Sequence, residues 1–334
     1  AQARIYISSC RVWLEVAEVH SPAAGMKGAA EEAKAHIKEA EKALGTAWWT
    51  FKCRSDLVTA SMEYSQAATK FRAANMLPEA VKAWAKAADL YEQQHDLWTA
   101  GRAYESAGTI CDGTGPGGPS AAVEHWTDAI RCFKLVPKAE TAVKLLFKVA
   151  ALQERQGESA SAGAAFREAI EVYSSDEKDY ELADVFKQYI GFLVRNQMTV
   201  EALKAIDEHI EVLRRQKKLF PMIHKELLAK VVLLIHLQDT VRAQEVIQSG
   251  ADVQGWLSCR DSKLGASLVE AFQANDAAGA EEVLQDQLFG MLQVDVARLA
   301  RSLRVPQIEV PVPPEDGGAG DGQAQTENLA ALLM

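Results

Sequence analysis

Large apolar residues recur along the chain at an interval of about 20 residues. Seven of them follow an alanine four residues earlier, and most have a second small residue three residues later. Offsets of -4, 0, +3 and +7 lie on one face of an α-helix. The pattern therefore predicts one helix in each period, with its apolar face set by these positions. The eight large residues are Tyr64, Trp84, Tyr104, Trp126, Leu146, Phe166, Phe186 and Ile206.

Two successive periods predict a helical hairpin of about 40 residues, slightly longer than a tetratricopeptide unit of about 34. Small alanines let neighbouring helices approach closely, and one bulky side chain per helix fills the gap between them. Because such units contact mainly their neighbours, they stack into an array. The sequence thus predicts an all-α protein: an α-solenoid of tetratricopeptide-like helical hairpins over residues 34–218, followed by a C-terminal helical bundle.

The ends of the chain depart from this repeat. Residues 219–305 predict the bundle, because shorter helical patterns continue there at 223–237, 240–249, 263–274, 280–289 and 294–303. Residues 306–334 are rich in proline, then in glycine and acidic residues, which predicts a flexible acidic tail with an apolar end. Residues 1–33 have no assignment.

Charge and cysteine usage narrow the possible partners. The 36 basic residues are outnumbered by 46 acidic ones, giving a formal net charge of -10. Nucleic-acid binders usually show the opposite balance, so we expect no nucleic-acid partner. Five scattered cysteines without a CxxC pair favour a reducing compartment, with Cys111 and Cys132 as core residues. No apolar run reaches the roughly 20 residues of a membrane span.

Catalytic motifs are weak. The glycine pattern between Gly113 and Gly118 fits G-x-G-x-x-G, but it lies between two predicted helices without a preceding strand. The seven histidines show no metal-ligand spacing and no adjacent cluster of Cys, Asp or Glu. We therefore expect no catalytic residues, no metal and no cofactor, and a protein that is not an enzyme.

Several stretches carry a family resemblance: KAHIKEAEKAL, GTAWWTFKCRSDLVTASMEYSQAATKFRAANMLPEAVKAWAKAA, AGRAYESAG, EALKAIDEHIEVL and the terminal bundle. Over residues 34–306 the chain resembles the soluble NSF attachment proteins, closest to their gamma branch. The resemblance implies an adaptor that binds four-helix SNARE bundles on membranes. It also implies that the adaptor recruits and stimulates the hexameric ATPase NSF, which disassembles these bundles in vesicle trafficking and membrane fusion. The implied location is cytoplasmic and peripheral to vesicle and endomembrane surfaces.

The segment 45–52 lies between the first predicted helix and the repeats. Its aromatic residues Trp48, Trp49 and Phe51 fall off the 20-residue period that the predicted core aromatics follow. Tryptophan and phenylalanine suit the membrane interface, and the family has its membrane-attachment loop at this place. We predict membrane contact by these rings; the alternative is that they pack onto the next hairpin.

The C-terminal end holds the residues that the resemblance assigns to NSF. Family members end in an acidic stretch with a penultimate leucine that stimulates the ATPase; here Leu333 is penultimate and Leu332 precedes it. In the bundle, Asp239 and Glu270 align with family positions that face the basic surface of the ATPase. The alternative for the tail is a disordered extension without a role.

Basic residues on the solenoid are candidates for SNARE contact. SNARE bundles expose acidic side chains, so a complementary face needs lysine and arginine despite the net acidity. Lys144, Lys148, Lys187 and Arg195 occur in neighbouring predicted helices at similar depth. We predict that they bind SNAREs; the alternative is an ordinary solvated face.

Two other functions compete with the adaptor. One is a general tetratricopeptide-like scaffold of another complex, binding peptides in its concave groove. The other is a helical-repeat subunit that borrows the active site of a partner enzyme. The aromatic loop and the leucine-ended tail favour the adaptor, because a plain scaffold has no need for both.

Overall fold

Helices account for nearly all of the chain that the structure describes. The computed structural model describes residues 22–45, 56–113, 118–175, 179–215 and 219–306, and these residues contain no strand. The all-α prediction is confirmed. The helices are α1 (Pro22–Leu44), α2 (Leu57–Ala73), α3 (Leu77–Gln93), α4 (Leu97–Asp112), α5 (Gly118–Lys134), α6 (Ala139–Arg155), α7 (Ser159–Ser175), α8 (Asp179–Arg195), α9 (Thr199–Arg215), α10 (Phe220–His236), α11 (Thr240–Ser249), α12 (Arg260–Gln273), α13 (Ala277–Leu284), α14 (Gln287–Gly290) and α15 (Val294–Ser302).

Consecutive helices pack side by side through the predicted repeat face. Seven of the eight large repeat residues are buried, and the alanines that precede them are fully buried. Trp84 departs from the pattern: its ring is only partly buried, although it packs against two core clusters. The solenoid of helical hairpins is therefore confirmed, with a less enclosed core at α3.

Close helix approach depends on small residues at the contact. A Cβ atom placed on Gly108 of α4 would lie 2.5 Å from the indole of Trp126 on α5 and 3.0 Å from the carbonyl oxygen of Ala122. Side chains and backbone do not tolerate such a separation, so only glycine fits there. The 20-residue period thus works by pairing one bulky ring with a small residue on the adjacent helix.

Six of the helix ends share one turn. Two residues beyond the last helical residue, the backbone is left-handed, and the next N–H donates to the carbonyl five residues back, for example Asp96 N to Tyr91 O at 3.0 Å. This is the Schellman arrangement, which satisfies carbonyls at a helix end. The next helix starts immediately, which gives the short connection that the period requires. The left-handed residues are Asn75, His95, Gly157, Gln197, Gln238 and Asn275.

Ion pairs connect helices two apart in the chain and divide the solenoid into two layers. Partners are separated by 34 to 43 residues, about one hairpin. One layer holds α3, α5, α7 and α9, and the other holds α4, α6 and α8. We call this set the ion-pair ladder; it consists of Glu92–Arg131, Glu105–Lys148, Asp112–Arg155, Lys134–Glu168, Glu154–Arg195 and Arg167–Glu208.

The C-terminal helices fold back on the solenoid. α15 packs against α8 and α10, although about 100 residues separate it from α8. The prediction of a single helix over residues 280–289 is wrong, because two helices, α13 and α14, occupy that region. Asp286 adopts an extended conformation, and its carboxylate accepts from Leu288 N at 2.9 Å. This cap ends α13 and starts α14.

None of the described helices combines the length and the apolar character that crossing a bilayer requires.

Candidate functional site

The aromatic segment 45–52 lies between α1 and α2, whose facing ends meet. Trp48, Trp49 and Phe51 lie outside the described residues. At their borders, the backbone N–H of Asp56 donates to the carbonyl oxygen of Ala43 at 3.0 Å. The carboxylate of Asp56 then caps α2 through the N–H of Thr59. The described ends of the α1–α2 connection are therefore held side by side.

The three predicted SNARE-binding lysines share one layer of the solenoid. Lys144 and Lys148 lie on α6, and Lys187 lies on α8. Lys144 and Lys187 pair with carboxylates on their own helices, at 2.5 Å and 3.0 Å. Lys148 pairs with Glu105 of α4 at 2.9 Å. Exposed pairs of this kind contribute at most about 1 kcal/mol, so an acidic partner can replace them at little cost.

Arg195 occupies a different environment from these lysines. Its guanidinium donates to both carboxylate oxygens of Glu154 at 3.1 Å and to Asp295 of α15 at 2.7 Å. The bonds with Glu154 raise the pKa of the guanidinium, against partial burial, and Asp295 adds to the increase. The side chain of Asp295 is 8% exposed. Arg195 therefore connects the solenoid to the C-terminal helices, and SNARE contact by Arg195 stays a prediction.

The predicted NSF contacts are divided between described and undescribed residues. Asp239 is the N-cap of α11, and its carboxylate accepts from the backbone N–H of Arg242 at 2.9 Å. That bond, and then the Arg242 side chain, lower the pKa of the Asp239 carboxyl. Glu270 is exposed on α12, which contacts α11. Leu332 and Leu333 lie outside the described residues.

A groove that the sequence did not predict runs between α5 and α7, with α6 as its floor. Its volume is about 540 Å³. Leu146 and Val149 give the floor an apolar surface, while Arg131, Lys134 and Glu168 bring charge to the rim. Residues from three helices line it, so only the repeat geometry brings them together. The small residues of α7 at this position were the available signal in the sequence.

A comparison with protein families identifies the scaffold. The family described as "Soluble NSF attachment protein, SNAP" matches residues 31–288, more than three quarters of the chain. The chain belongs to the soluble NSF attachment protein family. The match begins within α1 and ends within α14, so this SNAP-family region includes the solenoid and most of the C-terminal helices.

One curated relative extends the family match to a named protein. It is "Gamma-soluble NSF attachment protein" of Dictyostelium discoideum, 22% identical over 144 residues. The aligned region covers 41% of this SNAP-family chain and 42% of the relative, less than half of each. This similarity points to the gamma branch of the family, in agreement with the resemblance seen in the sequence.

Two solved structures have low structural similarity to this chain. BtubC from P. vanneervenii has a TM-score of 0.35 at 10% identity, over 70% of this chain and 92% of that protein. Aspartyl phosphate phosphatase F from Bacillus subtilis has a TM-score of 0.28 at 13% identity, over 89% of this chain and 77% of that protein. At such scores neither structure adds to the description of this SNAP-family fold.

Proposed function

We propose that this SNAP-family chain is an adaptor that binds SNARE bundles at membranes and recruits and stimulates NSF. The family match over residues 31–288 carries the proposal. A stacked helical array also suits it, because such arrays present long surfaces to elongated partners. In this proposal the chain is a cytoplasmic, peripheral membrane protein without catalytic activity of its own.

A pull-down on a purified SNARE bundle, with and without NSF, tests the adaptor function. We expect the chain to bind the bundle alone and to retain NSF only when the bundle is present. The competing scaffold function has one observation in its favour, the apolar groove between α5 and α7. Failure to bind any SNARE bundle, with the chain folded, would remove the adaptor and leave the scaffold.

Lysines on α6 and α8 form the proposed SNARE-facing surface. Lys144, Lys148 and Lys187 are on one layer, and their carboxylate partners are on the same layer. Charge complementarity contributes mostly to association rate and specificity at such a surface. Arg195 lies at its border, where it also holds α15.

The triple substitution Lys144→Gln, Lys148→Gln and Lys187→Gln should weaken SNARE-bundle binding about tenfold. Each exposed charge contributes up to about 1 kcal/mol, and tenfold corresponds to about 1.4 kcal/mol in total. The measurement is binding affinity against salt concentration, and the variant should show the smaller salt dependence.

A matched control removes three charges from the other layer: Lys82→Gln, Lys86→Gln and Lys204→Gln on α3 and α9. This control should bind the bundle as the parent chain does. An equal loss in both triple variants would show that net charge, and not the α6–α8 surface, governs binding.

The aromatic loop is the proposed membrane contact. Replacing Trp48, Trp49 and Phe51 with serine should reduce flotation with liposomes and slow disassembly of membrane-anchored SNARE bundles. Each ring contributes at most about 1.5–3 kcal/mol on insertion, so the effect depends on several copies acting together. Disassembly of soluble bundles should remain unchanged.

Leu135→Ser is the control for this experiment, because Leu135 is an exposed apolar side chain of the solenoid, 65% exposed. It should leave flotation intact. Equal loss on soluble and anchored bundles in the loop variant would instead indicate that the rings serve folding.

The proposed NSF-contacting end combines Asp239 and Glu270 of the C-terminal helices with Leu332 and Leu333 of the tail. The carboxylates offer charge to a basic ATPase surface, and the leucines offer apolar side chains to a pocket. The exposure of Glu270 and the partial exposure of Asp239 leave both carboxylates accessible.

A further inference from the structure

Three side chains of metal-binding type converge where α10 meets the start of α12. They are His224 on α10, Cys259 immediately before α12 and Asp261 in its first turn. One ligand atom from each lies within 4.8 Å of the other two. The imidazole is buried, while the thiol and the carboxylate are partly exposed. The three residues are not neighbours in the sequence, because 35 residues separate His224 from Cys259.

The loop between α11 and α12 determines where Cys259 and Asp261 lie relative to His224. Gly255 has a φ of +82°, a left-handed conformation that suits glycine and turns the chain back towards α10. Trp256 follows, fully buried, with its Nε1 donating to the carbonyl oxygen of Ile247 at 2.9 Å. Its ring lies 5.7 Å from the ring of His224. This anchor fixes the position of the residues that lead to Cys259.

The hydrogen bond of His224 sets its tautomer. Nε2 lies 3.1 Å from the carbonyl oxygen of Gln254, and a carbonyl can only accept, so Nε2 carries the proton. In the neutral ring the other nitrogen keeps its lone pair. Metal-binding histidines usually donate their second N–H to a backbone carbonyl in this way.

We propose that His224, Cys259 and Asp261 bind a zinc ion, with water as the fourth ligand. Imidazole and thiolate select zinc over the oxygen-seeking ions magnesium and calcium. Neighbouring ligands of tetrahedral zinc lie about 3.5 Å apart, so the ligand atoms need to approach one another by no more than about 1.3 Å on binding. The partly exposed side chains of Cys259 and Asp261 leave room for this movement and for the water.

Bound zinc ties α10 to the start of α12. This inference stands apart from the adaptor proposal and involves none of its contact residues. Two other cysteines do not compete: burial, with the bond to Glu92, raises the pKa of the Cys132 thiol to about 12, and burial also raises that of Cys111.

Zinc and cobalt titrations of the full chain test the site. We expect one equivalent to bind, with the absorption bands of tetrahedral, thiolate-bound cobalt, and the melting temperature to rise with zinc. In the parent chain the thiol of Cys259 caps α12 by accepting from the N–H of Ser262. In Cys259→Ser the hydroxyl oxygen takes over this cap. This variant should fold, lose the thiolate band and bind zinc at least about tenfold more weakly.

His224→Gln should weaken binding in the same way. The matched controls Cys53→Ser and His236→Gln remove a thiol elsewhere and an exposed imidazole of α10, and should bind as the parent chain does. The proposal is overturned if the parent chain binds no zinc, or if Cys259→Ser retains its affinity. Equal loss in the controls would also overturn it, since binding would then be unspecific. Should His224→Gln fail to fold, Cys259→Ser decides the result.

Discussion

Trp256→Ala should lower the free energy of unfolding by about 3–5 kcal/mol, as truncation of a buried tryptophan does. Trp256 is fully buried in the loop between α11 and α12, and its indole N–H is bonded to Ile247 O. Packing around it is tight: a Cβ atom on Gly250 would lie 2.5 Å from the indole. The substitution therefore leaves a cavity and a carbonyl without its donor. Urea denaturation followed by circular dichroism measures the loss.

Leu257→Ala is the matched control for this experiment, because Leu257 is the next residue and is 64% exposed. It should change stability by no more than about 0.5 kcal/mol. Trp256→Phe separates packing from hydrogen bonding, since the ring stays largely in place while the N–H is lost. Parent-like stability in Trp256→Ala would mean that the loop does not pack on α10 and α11.

Replacing Leu332 and Leu333 with alanine should sharply reduce stimulation of NSF while a complex with SNAREs and NSF still assembles. A leucine that enters a pocket on a partner contributes about 1.5–3 kcal/mol when fully buried there. This corresponds to roughly ten- to a hundredfold in an equilibrium constant. Met334 is apolar and adaptable and can take over in part when only Leu333 is changed, so the double substitution is the decisive one.

The measurement is the NSF ATPase rate at saturating adaptor, with binding measured in parallel. Leu329→Ala removes a leucine from the same segment, away from the penultimate position, and should retain stimulation. The composition of residues 307–334 leads us to expect unchanged solenoid stability when they are deleted. Full stimulation by the double variant would remove the tail leucines from the proposed NSF contacts.

Local periodicity was sufficient to predict most of the fold. The recurrence of Tyr104, Trp126 and Phe166 with their alanines sets the helix face, and these three rings are buried as expected. Such a pattern is readable because each unit packs on its sequence neighbours. Trp84 shows the limit, since its exposure depends on how well the helices on either side of α3 cover it, and the spacing of apolar residues does not contain this information.

Contacts between distant residues were beyond the sequence pattern. The sequence predicts Arg195 as a SNARE-binding residue and contains no sign that Asp295, 100 residues later, binds it. Likewise, no sequence motif contains both His224 and Cys259, because these residues come close only in the folded chain, after the turn at Gly255. The break at Asp286 is a local effect of one cap, which apolar spacing does not detect. The proposed contacts with SNAREs, NSF and membranes rest on the family and, for the described residues among those named, on their exposure.

The return of α15 to α8 determines how the molecule responds to mechanical force. Residues beyond 306 follow α15 directly, so tension on the C-terminal end acts first on this helix. The bond from Arg195 to Asp295 and the packing on α8 and α10 then carry the load into the array from the side. A pulling motor would therefore have to shear α15 from α8 before it could peel helices from the end of the array.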